Sequence, residues 1–275
     1  MSRESLVRPV GRGSAAGDPA LLTVAIWKID RFATHDGPGI RTSIYFQGCP
    51  LRCLWCSNPE GQHQEAEPGF INARCRTLSQ FMDIIERDRH IYRRCGGGIT
   101  CTGGEPFLQA AFLRALLAWC HEVGIHTAVE TCGYVGKAEF KGSLPDIDWL
   151  FFDLKHLNSA EHKRLTGRSN RIILDNLFTA SSVLGKAGKI LVIRQVVVPG
   201  LNDEGNIRAL AELARGLPRV HYIELLPYHN YGMNKYQKLG LKYQLEDMTP
   251  PSEAKLKEYQ KIIESYGITC KIGGL

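Results

Sequence analysis

The 275-residue chain is 44% hydrophobic, enough to bury a full core and better suited to one large domain than to two small ones. Its net charge of +6 comes from 34 basic and 28 acidic residues, and the absence of a Lys/Arg block or an aromatic–basic stripe argues against a nucleic-acid partner. No apolar run reaches the ~18 residues that span a bilayer and no signal-peptide pattern opens the chain, so a cytoplasmic protein with no membrane partner is expected. Its nine cysteines are then not expected to form disulfides.

Residues 1–22 are rich in Gly, Ala, Ser and Arg and read as a disordered N-terminal tail. A transit peptide fits less well, because Glu4 and Asp18 are acidic and no amphipathic period is present. Residues 23–275 read as a single domain. Apolar runs predict strands over Thr42–Gln47, Gly98–Thr102, Ile125–Glu130, Trp149–Leu154, Ile190–Val197 and His221–Leu225. Amphipathic stretches predict helices over Leu78–His90, Phe107–Val123, Arg171–Leu184, Asn206–Arg215 and Ser252–Tyr266. Nearly all-apolar strands alternating with helices call for a parallel sheet, either open or closed into a barrel. The Gly- and Pro-rich stretches GCPL, GGEP, CGY, PGLND and PYHNYG follow the strand ends, where such folds carry their chemistry.

Three cysteines, Cys49, Cys53 and Cys56, crowd one of these loops. Soft thiolates suit iron–sulfur clusters or zinc. Three on one short loop reach three corners of a four-iron cube and leave the fourth iron free to bind a substrate. A structural zinc site completed by His63 or Cys75 is the alternative on spacing alone.

Cys-x3-Cys-x2-Cys just after a strand resembles the radical S-adenosylmethionine superfamily. The wider segment HDGPGIRTSIYFQGCPLRCLWCSNPEG resembles its glycyl radical enzyme activating enzymes. So do GGGITCTGGEPFLQ, VETCGY, FFDLK, HKRLTGRSN, IRQVVVPGLND and IELLPYHNYGMNKYQKLG. These segments run in order from about residue 24 to the C-terminus. The resemblance implies a partial (β/α)6 TIM-like barrel as the radical SAM core, with one [4Fe-4S] cluster on Cys49, Cys53 and Cys56 at its C-terminal mouth. S-adenosylmethionine would chelate the open iron and be cleaved reductively. The resulting 5′-deoxyadenosyl radical would take a hydrogen from a glycine of a partner glycyl radical enzyme. An electron donor such as flavodoxin or ferredoxin would reduce the cluster.

The same resemblance assigns cofactor contacts to Trp55 and Ser57 in the cysteine loop, and to Gly103, Gly104 and Glu105, where glycine lets a ligand approach the backbone. It adds Asp153, Leu154 and Lys155, Arg194, and His229 near the adenosyl portion. It also implies a monovalent cation at Glu130, Thr131 and Asp153, whose oxygens suit a hard ion. The residues alone allow plainer roles: a capping turn at GGEP, an Asp153–Lys155 ion pair at the barrel rim, and a structural His229. The ferredoxin-like insert that many relatives carry is not expected, because Cys75, Cys95, Cys101, Cys120, Cys132 and Cys270 form no CxxC pair; Cys95 and Cys101 read as small buried residues. Two other functions stay open: a radical enzyme acting on a small molecule, and a non-catalytic protein that keeps a cluster for structure or redox sensing.

Overall fold

The computed structural model describes residues 18–63 and 74–273. One nine-stranded sheet organises them, with β1 (Thr23–Ala33), β2 (Arg41–Phe46), β3 (Arg74–Thr77), β4 (Gly98–Gly103), β5 (His126–Thr131), β6 (Trp149–Asp153), β7 (Ile190–Val197), β8 (Tyr222–Pro227) and β9 (Cys270–Ile272) in the spatial order β3-β1-β2-β4-β5-β6-β7-β8-β9. Strands β2 and β4 through β9 are parallel neighbours, whereas β1 runs antiparallel to both β2 and β3. The six expected strands are therefore the parallel arc β2-β4-β5-β6-β7-β8 of a partial TIM-like barrel. β1, β3 and β9 are additions at its two edges.

Helices α1 (Leu78–Cys95), α2 (Ala110–Glu122), α3 (Lys137–Ser143), α4 (Ser159–Thr166), α5 (Arg171–Lys186), α6 (Glu204–Arg215), α7 (Met233–Lys238) and α8 (Glu253–Glu264) link the strands. Local sequence sets their ends. Thr77 and Gln80 close a capping box before α1, and Gly96 ends it in the left-handed conformation. Asn158 caps α4 through Ala160 and Glu161 N–H, and Gly167 ends it likewise. The helix expected over Phe107–Val123 divides instead. Pro106–Gln109 form a 3₁₀ turn capped by Glu105, and only then does α2 begin.

Side chains alternate across each strand. One face supplies Ile44, Phe46, Ile99, Cys101, Val129, Leu150, Phe152, Leu191, Ile193, Ile223 and Leu225 to the main core beneath the helices. The opposite, concave face carries Ala128, Trp149, Phe151, Ile190, Val192 and Tyr222 as a separate apolar floor. Continuing the same period of two toward the carboxyl ends brings Glu130, Asp153, Arg194 and Glu224 onto that concave face. A ring of charge thus stands above an apolar floor, at the mouth where the cysteine loop begins.

Of the expected tail, residues 1–17 lie outside the described residues. Residues 18–22 are built into the fold: Asp18 caps a 3₁₀ turn over Pro19–Leu21, and Leu22 C=O accepts from Leu78 N–H at 2.8 Å. Among the described residues no helix is long and apolar enough to cross a membrane.

Candidate active site at the barrel mouth

The cysteine loop is pinned on two sides by backbone. On one side Gly48 N–H donates to Gly61 C=O (2.9 Å), and Glu105 N–H donates to Gly48 C=O (2.7 Å). On the other, Arg52 N–H and Leu54 N–H donate to the last turn of α4 at Thr166 and Leu165 (2.8 and 3.1 Å). The GGEP turn and α4 therefore hold the loop between them, and neither contact depends on a bound group.

Cys49, Cys53 and Cys56 are free and half-buried. Burial pushes the Cys53 and Cys56 thiols up, while the nearby Lys155 ammonium opposes that shift. Cys49 goes the other way, because the Cys132 thiol hydrogen-bonds to its sulfur. Burial thus opposes the thiolate at Cys53 and Cys56, and positive charge beside them favours it. Among the described residues no three His, Cys, Asp or Glu side chains gather around one point. Cys75 lies exposed on β3 opposite Ala25. Trp27 Nε1, Gln47 Oε1 and Trp55 Nε1 are buried without hydrogen bonds beside the loop, which fits a bound group there, whereas Glu60 Oε2 pairs with Lys235 Nζ at 3.6 Å. Trp55 lies inside the loop, Gln47 Nε2 donates to Glu60 and His63 C=O, and Trp27 abuts Gly61. Buried polar atoms without partners are rare and call for a reason.

The other expected site residues fall into distinct groups. Asp153 and Lys155 form an ion pair at 2.8 Å at the mouth. Burial works against the Lys155 charge, yet Asp153 and the Cys53 sulfur raise its pKa above the ordinary lysine value. Arg194 lies over the Phe151 ring (3.5 Å), between the carboxylates of Glu130 and Glu224. Glu130 also accepts from Thr102 Oγ1 at 2.6 Å. His229 stacks on the exposed Tyr231 (4.4 Å between ring centres), and burial, then Lys235, lower its pKa. Ser57 C=O accepts from Lys235 Nζ at 2.8 Å, which ties α7 to the loop.

Three of the expected contacts also serve the fold. Leu154 is 1% exposed, its side chain belongs to the helix-covered core, and its N–H donates to Arg194 C=O at 2.9 Å. Gly103 and Gly104 are closely packed by neighbouring backbone. Gly103 has φ +106°, and a Cβ on Gly104 would lie 2.0 Å from Gly48 O and 2.6 Å from Gly61 O, so glycine is required there to seat the cysteine loop. Glu105 is completely buried and accepts from Thr131 Oγ1 (2.8 Å), Cys132 N–H (2.8 Å) and Phe107 N–H (3.2 Å). It ties the end of β4 to the end of β5, and burial raises its pKa. The proposed cation donors are likewise engaged: Glu130 by Arg194, Thr131 by Glu105, Asp153 by Lys155. Cys95, expected to be buried, is half-buried at the end of α1 and accepts from Ile40 N–H at 3.2 Å.

Sequence reasoning missed Glu224, Lys235, Trp27 and Cys132. Glu224 carried a signal, since it is the one acid inside the apolar run Tyr222–Leu226. Trp27 had none, because β1 was not foreseen.

The profile of the radical SAM superfamily matches residues 43–213. The chain belongs to that superfamily. A pyruvate formate-lyase-activating enzyme of Clostridium pasteurianum is 38% identical over 242 residues, covering 88% of this chain and 95% of that one. A choline trimethylamine-lyase activating enzyme of Oleidesulfovibrio alaskensis is 34% identical, covering 90% and 97%. That second alignment runs to 306 residues, more than this radical SAM chain has, so the longer relative carries segments absent here. The chain therefore sits with the shorter activating enzymes. Among solved structures, a domain of a pyruvate-formate lyase-activating enzyme from Bacteroides vulgatus aligns with TM-score 0.54 and 33% identity, covering 65% of this chain and all of that one. Streptococcus suis SuiB bound to precursor peptide SuiA aligns with TM-score 0.56 at 18% identity, covering 82% and 46%, and shares the fold alone.

Proposed function

We propose that this protein is a glycyl radical enzyme activating enzyme. The observation that carries the reading is the placement of Cys49, Cys53 and Cys56 at the mouth of a radical SAM barrel whose full-length relatives are named activating enzymes. Cys49, Cys53 and Cys56 would hold a four-iron cluster, which would supply the electron for reductive cleavage of S-adenosylmethionine and so the radical that takes hydrogen from a glycine Cα.

The chain's own residues bind, orient and exclude water. Asp153 and Lys155, on one concave edge, offer an acceptor for ribose hydroxyls and a cation for the cofactor carboxylate. Trp55 presents a buried indole N–H to a base nitrogen, and its ring lies in an apolar cluster with Leu165, Tyr228 and Tyr236 that keeps water from the loop. Arg194, already balanced by two carboxylates, fixes the far side of the cavity. His229 and Tyr231 border the mouth, and hydrogen abstraction by a carbon radical asks no acid or base of them. GGEP serves this site by position: Gly103 and Gly104 seat the loop and Glu105 fastens Thr131 and Cys132 beside it. A monovalent cation at Glu130, Thr131 and Asp153 would have to displace Arg194 and Lys155; cofactor affinity with potassium or tetramethylammonium as sole monovalent cation tests for it. In this reading residues 23–275 form the catalytic unit, working in the cytoplasm.

The deciding experiment is an anaerobic mixture of reduced protein, S-adenosylmethionine and a candidate glycyl radical enzyme encoded beside it. Electron paramagnetic resonance is expected to show a glycine-centred doublet, absent when the partner's glycine is replaced by alanine. Formation of 5′-deoxyadenosine only with a small metabolite, and no radical on any partner, would refute the activating role and leave the radical chemistry standing.

A further inference from the structure

The chain leaves Cys56 through Ser57 and Asn58 and turns back in a 3₁₀ turn over Pro59–Gly61, whose Gly61 C=O accepts from Gly48 N–H beside Cys49. Helix α7 packs on this return. Gly232, just before α7, is buried against it: a Cβ there would lie 3.2 Å from Ser57 Cα and 3.3 Å from Cys56 O, so glycine permits the close approach. Tyr236 is 8% exposed and joins the apolar cluster that also holds Trp55 and Cys53. Between these two anchors Lys235 Nζ donates to Ser57 C=O (2.8 Å) and Asn58 Oδ1 (3.1 Å), and lies 3.6 Å from Glu60 Oε2. The same ammonium stands over the Trp27 ring, 5.5 Å from its centre.

An ammonium carries three donors, and here it meets three oxygens of the segment that follows Cys56. Lys235 therefore fixes the loop's exit from a helix 178 residues further along the chain. Its charge has a counterpart that is held as firmly. The Glu60 side chain is 17% exposed, and among the described residues its carboxylate pairs with no cation but Lys235. Opposite charges set into a partly buried wall act on their surroundings more strongly than charges in water. The group that Cys49, Cys53 and Cys56 would hold gains one negative charge when it is reduced. A cation beside one of its ligands eases that step and an anion opposes it. We propose that Lys235 is a positioning residue for the radical chemistry: it holds the Cys56 corner of the loop, and its ammonium, set against the Glu60 carboxylate, makes the cluster there easier to reduce. The proposal rests on the cluster assignment and is silent on which protein receives the radical.

The test is an anaerobic redox titration of the reconstituted protein without S-adenosylmethionine, poised with titanium(III) citrate and mediators and read by electron paramagnetic resonance of the reduced cluster. Lys235→Met should make the cluster about tenfold harder to reduce at a fixed poise, a downward shift of about 59 mV for a one-electron couple. Glu60→Gln should move the equilibrium the other way, by about threefold or more. The double variant Lys235→Met/Glu60→Gln should return to within about threefold of wild type, because both charges are gone. Lys235→Arg keeps the charge and should stay equally near in potential, while its planar fork fits the three oxygens less well and lets a chelator remove iron faster. Shifts of the same sign in Lys235→Met and Glu60→Gln, or no shift in either, overturn the proposal. Should Lys235→Met fail to hold iron, the sign of the Glu60→Gln shift decides alone: an upward shift supports the charge pair, and no shift or a downward one overturns it. Iron content of the wild-type protein, and its cleavage of S-adenosylmethionine once fully reduced, test the cluster assignment separately.

Discussion

Replacing Glu105 tests whether GGEP acts through the fold or by touching the cofactor. Its carboxylate is completely buried and accepts from Phe107 N–H, Thr131 Oγ1 and Cys132 N–H. Glu105→Ala leaves those three donors without partners, at about 1–3 kcal/mol each. Removing a carboxylate whose pKa burial has raised gives part of that back. A net loss of about 3 kcal/mol follows from these two opposing effects. Glu105→Gln keeps one acceptor oxygen, but its NH2 then faces one of the two backbone N–H groups, so it should lose about 1–3 kcal/mol, less than alanine. The assay is anaerobic urea unfolding of the cluster-free protein, read by tryptophan fluorescence. With a slope near ~3 kcal/mol/M, the alanine variant's midpoint should drop by roughly 1 M. The glutamine variant, loaded with cluster, should bind S-adenosylmethionine nearly as wild type does. An alanine variant of normal stability, or a glutamine variant that folds normally but has lost the cofactor, would show that Glu105 touches the ligand directly.

Anaerobic reconstitution should give about four irons per chain, and the triple variant Cys49→Ala/Cys53→Ala/Cys56→Ala should retain almost none; about four irons kept by the triple variant would refute the ligand assignment. Gly104→Ala should destabilise the cluster-free protein by about 2–4 kcal/mol, because its Cβ would meet Gly48 O at 2.0 Å; normal unfolding with lost cofactor affinity would mean an open cradle instead. His162 is completely buried, its Nδ1 lies 2.6 Å from Arg168 C=O, and burial lowers its pKa from 6.5. The unfolded chain, with histidine near ~6.5, then binds the proton first, so this contribution to stability is full above that value and is lost as pH falls through the folded pKa. His162→Gln should lose less stability than wild type between about pH 7 and 5, and an equal or larger loss contradicts the argument.

How far the sequence foretold the structure depends on how strongly each element's pattern is set by burial. The parallel strands were legible because both of their faces are covered: Leu150 and Phe152 on the helix side, Trp149 and Phe151 on the floor, so they read as unbroken apolar runs. β1 was not, because it lies near the edge, mixes Lys28, Asp30 and Arg31 with Ile26 and Ile29, and slips register between Asp30 and Ala33. β3 is just four residues holding two arginines, and its strand character comes only from pairing with β1. Helix α4 was missed because His162, Lys163 and Arg164 give it a polar mean, and only His162, Leu165 and Thr166 are buried. Its value lies in its last turn, whose carbonyls hold the cysteine loop.

At the site, residue type revealed the ligands but not the supports. Three cysteines in eight residues are improbable without a shared occupant, and that inference needs no coordinates. The split between contact and support does need them. Gly104 follows β4 and Asp153 ends β6 in motifs of the same resemblance, yet one is glycine because backbone crowds it and the other is charged on the concave face, paired with Lys155. Strand periodicity already separates the two. Asp153 shares the concave face with Trp149 and Phe151, whereas Leu154, one residue on, turns to the helix-covered core. Applied to each strand in turn, that same count of two selects Glu130, Arg194 and Glu224 for the concave face. Three of the charges around the mouth thus follow from knowing which face of one neighbouring strand is apolar. What no periodicity reaches is Lys235: it lies on a short helix far along the chain, yet donates to Ser57 C=O and Asn58 Oδ1 at 2.8 and 3.1 Å. It can be seen only after the barrel has brought the end of β8 back to its beginning.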